Sequence, residues 1–429
     1  MGTRLSAPSA QESRFEAYME GLAQAAEHAD RHEPLKKYCK GLLLAGERKS
    51  VEPMAARLCP DNVRRAHQSL HHVVADSPWS DEALLRQVRE RVLPAMRKRG
   101  PVVAWIVDDT GFPKKGKHSV GVARQYCGQV GKQDNCQVAV SLSMSTWSSS
   151  IPVAWRLYLP EAWTKDAARR KKTGVPAEVV FQTKPQIALE QIEAAVKAGI
   201  PKGVVLGDAA YGNNSEFRGG VTALELIYAV GIQSTTKVRK SADPAAGQAR
   251  IMESQALESE SRRVSVKELA RALPKSAWRT IKWRESSSGK LKSRFAAVRV
   301  SGAHPTDPTF QEWLLIEWPK EEPEPTKYWL SSLPTDTKLT DLVLMAKHRW
   351  IVERDYQELK QELGLGHYEG RGWRGFHHHA TLCIAAYGFL VSERSLFSPS
   401  VRAGDGGLSE PGRPVPYQPR GSPHPSRAA

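Results

Sequence analysis

Three acidic residues stand where a carboxylate is costly to place. PVVAWIVDD (101–109) is apolar on both faces and rich in β-branched residues, as a strand inside a sheet should be, and it ends in Asp108 and Asp109. GVVLGDAAYG (203–212) holds a second short buried strand ending in Asp208, and Glu353 lies in a long helical stretch. A carboxylate at a buried strand end needs a partner. A divalent cation is one such partner, because hard oxygen ligands suit Mg²⁺. Two such ions about 3.5–4 Å apart can clamp the attacking and leaving oxygens of a phosphodiester. That chemistry needs carboxylates from separate elements to converge, so the long separations between 108, 208 and 353 are no obstacle. The ordinary readings stand beside it: Asp before Thr or Gly is a common turn former, and a lone Glu on a helix is usually solvated.

Arg349 and Lys360 share nearly one helix face with Glu353, four residues before it and seven after. One carboxylate between two cations suits a metal-and-phosphate site, and it is equally an ordinary ion pair one turn apart. Gly111 to Lys117 matches the spacing of a nucleotide-binding GxxxxGK loop, but His118 stands where Ser or Thr is needed and no helix follows. An ATPase is therefore rejected. Lys114, Lys115 and Lys117, with Arg169 and Arg170 in a second cluster, fit contacts to a nucleic-acid backbone or a solvated loop. His377, His378 and His379 are consecutive and make a poor chelate on a helix. They are expected at the surface near a helix start or against DNA. The tryptophans of residues 278–329 are expected mostly in a small core.

These residues must be held by a chain of 429 residues, enough for two or three domains. Residues 1–98 read as helical, with Ser80 starting the run SDEALLRQVRERVLPAM. Residues 99–235 give three strands, a helix (QIALEQIEAAVKA), the strand ending in Asp208 and a helix over VTALELIYAVG, an α/β order with an antiparallel start. Residues 236–336 open on a polar loop, 237–247, and continue as short strands, a β-rich insertion. Residues 337–397 form two helices, the first continuous to Gly364. Residues 398–429 are rich in Pro, Gly and Arg and are expected to be disordered.

The chain is 40% hydrophobic and 25% charged, an ordinary globular balance. No run of 18 apolar residues suggests a membrane span, and the first residues lack the apolar core of a secretory signal. The five scattered cysteines form no CxxC pair and point to a reducing cytosol without a disulfide framework. A net charge of +16 favours a polyanionic partner.

VDDTGFPKKGKHSVGVARQYCGQVGKQDNCQVAVSLS, LYLPEAW, VVLGDAAYG and RWIVERDYQELKQELGLGHYEGRGWRGFHHH, in that order, resemble the catalytic blocks of bacterial insertion-sequence transposases of the DDE class. The resemblance implies a ribonuclease-H-like mixed sheet with a β-rich insertion, preceded by a helical region that could bind element ends. It implies catalytic, metal-holding roles for Asp108, Asp208 and Glu353, with Asp109 as the rival first Asp, and phosphate-positioning roles for Arg349 and Lys360. The tyrosine of the family's Tyr-Arg-Glu-Lys signature falls on Ala346 here. The function implied is Mg²⁺-dependent cleavage at transposon ends and strand transfer. It would use two ions, Mn²⁺ being able to substitute, on double-stranded DNA carrying inverted repeats and on target DNA. A homodimer in the cytoplasm at the nucleoid, with no membrane, is implied as well. The rivals are a ribonuclease-H-like DNA endonuclease without strand transfer and an inactive transposase-derived DNA-binding protein.

Overall fold

The computed structural model describes residues 9–240, 263–286, 289–301 and 310–397. Its strands are β1 (Ala104–Pro113), β2 (Ala123–Cys127), β3 (Lys132–Ser145), β4 (Ser150–Leu157), β5 (Val204–Gly207), β6 (Tyr228–Ile232), β7 (Lys237–Lys240), β8 (Val264–Ser265), β9 (Arg279–Ser286), β10 (Gly289–Ser301), β11 (Gln311–Trp318) and β12 (Lys327–Ser331). They form a single mixed sheet in the order β2-β3-β1-β5-β6-β12-β11-β10-β7-β8, with β4 paired to β3 and β9 to β10. β1 runs antiparallel to β3 and parallel to β5, which is parallel to β6. Antiparallel strands leading into parallel ones are the arrangement expected of a ribonuclease-H-like core. β12 joins β6 directly, so the strands after residue 236 extend the same sheet.

The helices before β1 are α1 (Ala10–Ala23), α2 (Ala29–Leu43), α3 (Val51–Leu58), α4 (Val63–Ala75) and α5 (Asp81–Arg97). Those between β4 and β6 are α6 (Glu161–Thr164), α7 (Ala167–Thr173), α8 (Lys184–Lys197), α9 (Ala209–Gly212) and α10 (Ser215–Ala223). After them come α11 (Val266–Ala272), α12 (Leu339–Lys347), α13 (Ile351–Gln361) and α14 (Trp373–Phe397). Ser80 caps α5 through the Ala83 amide, as its sequence signature requires. α14 is the hub: it packs against α5, β4, α2 and α4. By length and composition α14 could cross a membrane, but 67% of its most apolar window is buried inside the protein.

Three expectations are corrected. VTALELIYAVG is not one helix: α10 ends at Ala223, Glu225 takes φ 55°, and YAVGI becomes β6 between β5 and β12. Its apolar residues satisfy a helix period, but the gap in the sheet wins. The stretch from 337 is not one helix either. A 3-10 turn at His348–Trp350 separates α12 from α13, where buried His348 meets the Ser145 hydroxyl. Residues 237–240 pair as β7 instead of starting a loop; residues 241–247 and the expected disordered tail lie outside the described residues.

The histidine run is buried, not exposed. Leu157 donates its amide to His377 Nε2, His378 stacks on Trp79 with centroids 3.6 Å apart, and the Tyr38 hydroxyl meets His379 Nδ1. These bonds suit neutral imidazoles, and burial pushes His377 from 6.5 down to about 4. Between those values the unfolded chain binds a proton that the folded protein refuses. The neutral site's stability is therefore present above pH 6.5 and lost as pH falls toward 4. The carboxyls of half-buried Asp81 and buried Asp355 are held up and act in the opposite direction. Comparison with a His377→Gln variant isolates the histidine. The stability gap between the two proteins, from urea unfolding, should shrink by on the order of 2 kcal/mol between pH 7 and pH 5.

Candidate active site at the ends of the parallel strands

β1 and β5 pair in parallel with Ala104 beside Val204 and Ile106 beside Leu206. The same offset carried two residues on leads from this pairing to Asp108 and to Asp208, just past the end of β5, and the Asp208 charge acts on Asp108. The carboxyl ends of parallel strands are where open α/β sheets place ligands. From Ala104 to Phe112, Asp108 and Asp109 are the only positions not fully buried. Asp208 starts α9, its side chain accepting from the Ala210 amide at 2.9 Å.

α13 covers this strand end. The Arg349 guanidinium, in the turn before α13, lies 3.0 Å from the Asp108 carboxylate. Further along the helix the Lys360 ammonium donates to the Gly111 carbonyl at 2.8 Å and to Gln129 at 3.1 Å. Burial lowers Lys360 to about 8. Glu353 sits between them in the first turn of α13 and is exposed. Burial pushes the Asp108 carboxyl up to about 7; Arg349 opposes this, and the negative charges of Asp109 and Asp208 add to it. Burial would lower Arg349, but Asp108, Asp208 and Glu353 outweigh it and hold the guanidinium above its usual value. Asp109 takes another partner, the Lys184 ammonium at the start of α8, at 2.5 Å.

The donor set is oxygen only and carries more negative than positive charge, which suits a hard divalent cation. Asp108 and Asp208 could hold one, and Glu353 acts on the same Arg349 guanidinium as they do. Among the described residues no three acidic, histidine or cysteine side chains close into a cage, so the carboxylates approach without converging.

Lys115 and Lys117 are exposed. Lys114 is half-buried and donates to the Tyr368 carbonyl at 2.9 Å. The Arg169 guanidinium stacks 3.7 Å over Trp163, and Arg170 donates to the carbonyls of Thr164, Pro176 and Ala177. Arg170 thus spends its donors inside its own loop.

Four residues escaped the sequence reading. Ser141 lies directly across from Asp108 on β3 and meets the Tyr356 hydroxyl at 2.6 Å. Tyr211 and Tyr356 both feel the charges of Asp108 and Asp109. Lys184 was the fourth. For Tyr356 a signal existed: it lies three residues after Glu353 on the same helix. Asp355 anchors that helix, accepting from Ser150 at 2.5 Å on β4 and from Tyr387 at 2.7 Å on α14. Asp355→Ala would strand both buried hydroxyls. The expected cost is about 2–3 kcal/mol, read as a lower urea midpoint.

A family model described as DDE superfamily endonuclease matches residues 20–290. A protein of Microchaete diplosiphon, described as a probable transposase for insertion sequence element IS701, is 32% identical over 189 residues. That match covers 44% of this chain and spans 45% of the relative's length. Arg349, Glu353 and Lys360 lie beyond the residues that the family model matches.

Proposed function

Because the chain belongs to the DDE superfamily of endonucleases, we propose that it is a DNA transposase that cuts at the ends of an insertion element and joins them to target DNA. The observation that supports this reading is the parallel β1–β5 register, which leads into Asp108 and Asp208, with Arg349 paired to Asp108 and Lys360 bonded to the Gly111 carbonyl from α13. Asp108, Asp208 and Glu353 would hold two Mg²⁺, or Mn²⁺ in their place. Asp109, tied to Lys184, would brace the strand end. Bound ions would supply Lewis-acid activation of the attacking oxygen and stabilisation of the leaving one.

The protein's own groups would do the rest. Arg349, kept charged by the acids around it, would bind a non-bridging phosphate oxygen. Lys360 would fix the neighbouring phosphate. Lys115 and Lys117 would track the backbone, with Lys114, Arg169 and Arg170 shaping the loops beside them. A water oxygen attacks phosphorus, the O3′–P bond breaks, and the 3′ oxygen takes a proton. In the joining step that 3′ hydroxyl attacks a phosphorus of the target strand, the target's own O3′–P bond breaks, and the departing 3′ oxygen takes the proton.

In this reading residues 1–98 contribute end binding, 99–235 and 337–397 form the catalytic core, and 236–336 are its insertion. The protein would act in the cytoplasm, at the nucleoid, as a homodimer on paired inverted repeats. The test uses linear DNA carrying the coding region with its flanks, then a pre-cut end with a target plasmid, each with Mg²⁺. Cutting at both ends followed by joining is expected. Cutting without joining would leave a plain endonuclease, and binding without cutting an inactive DNA-binding derivative.

A further inference from the structure

The phenol of Tyr211 is an anomaly beside the carboxylates. Tyr211 stands three residues after Asp208 in α9 and is completely buried, its ring packed near Phe217. Its hydroxyl meets no hydrogen-bond partner among the described residues. Nearby Tyr356 is only partly buried, and its hydroxyl is satisfied by Ser141. A buried donor without an acceptor costs free energy, and native structures carry few of them. A phenylalanine would fill the same space without that cost. The Tyr211 ring lies over Gly207 at the end of β5, where an added Cβ would come 3.3 Å from the Tyr211 Cβ, and the negative charges of Asp109, Asp108 and Asp208 act on the phenol. Asp109 and Asp108 are instead paired with Lys184 and Arg349 respectively.

Resting on the function proposed above, we propose that Tyr211 is a positioning residue: its hydroxyl is a donor held in reserve for the carboxylates of the Asp108–Asp109 strand end, and takes up that bond when a divalent cation draws the site together. The cost of the orphaned hydroxyl is then borne by the unloaded protein and recovered on loading, which makes the phenol contribute to cation affinity instead of to folding.

The probe is Mn²⁺ alone, titrated into the full chain without DNA and followed by the loss of free-ion paramagnetic resonance signal. Thermal melts without added cation accompany it. Tyr211→Phe should weaken Mn²⁺ binding about tenfold while melting no lower than wild type. Tyr356→Phe, which strands the Ser141 hydroxyl, should lower the cation-free melting temperature. Equal Mn²⁺ affinity in wild type and Tyr211→Phe would overturn the assignment of Tyr211 and leave the cation site standing. A lower cation-free melting temperature for Tyr211→Phe would overturn it too, by making the phenol part of the fold. Failure of the wild type to bind Mn²⁺ would overturn both this role and the cation reading of Asp108 and Asp208.

Discussion

Asp208→Asn is expected to reduce strand cleavage by about 10³-fold or more while leaving the protein folded. Asparagine keeps an oxygen for the bond from the Ala210 amide, which the native side chain accepts at 2.9 Å, so the start of α9 should survive. What is lost is the negative charge of Asp208, which acts on Asp108 and which the proposed function assigns to metal binding. Charge stabilisation of several kcal/mol in the transition state depends on such ligands, and each 1.36 kcal/mol is worth about tenfold in rate. The measurement is single-turnover cleavage of end-bearing DNA in Mg²⁺, with circular dichroism melts as the control for folding. Cleavage within about threefold of wild type would remove Asp208 from the chemistry.

Gly212→Ala should disable the same site through the backbone. An added Cβ would lie 1.9 Å from the Gly231 carbonyl oxygen and 3.0 Å from its carbon. Gly212 ends the short helix that Asp208 begins, and Gly231 is in β6, so two backbones touch where the site is built. Overpacking costs about 1–3 kcal/mol where side chains can give way; here a carbonyl in a paired strand is in the way, so a loss of at least about 3 kcal/mol is expected. Any molecules that still fold must move α9, and a displacement of about 1 Å can cost about 10²-fold in rate. Both effects are checked together by urea unfolding and cleavage per folded molecule. Gly128→Ala, where nothing lies within 4 Å of an added Cβ, should change neither.

Much of this architecture is legible in the chain because local rules and the final fold agree. The runs ending in Asp108 and Asp208 are apolar on both faces, and they are central parallel strands in the sheet. Where reading failed, a longer-range demand overrode the local period. YAVGI continues a helical spacing, but the edge of β5 needs a partner. The histidines are polar by type, yet each imidazole finds a carbonyl, an amide or a hydroxyl in the interior, the amide coming from Leu157 on β4. Tyr356 is visible as a helix neighbour of Glu353, but its bond to Ser141 requires β3 to lie beside β1.

The sequence by itself determined the kinds of group available: acids at the ends of two buried strands, a third acid between two cations on a helix, and an excess of positive charge around them. Those are properties of hydrophobic period and side-chain chemistry, which need only neighbours along the chain. The tertiary structure alone decided which carboxylate faces which partner. Strand alternation turns Asp108 toward Arg349 and Asp109 toward Lys184, and that choice depends on which helix packs on each face of β1. Contacts between residues separated by 75 or more positions are set by packing and register, which no local pattern encodes.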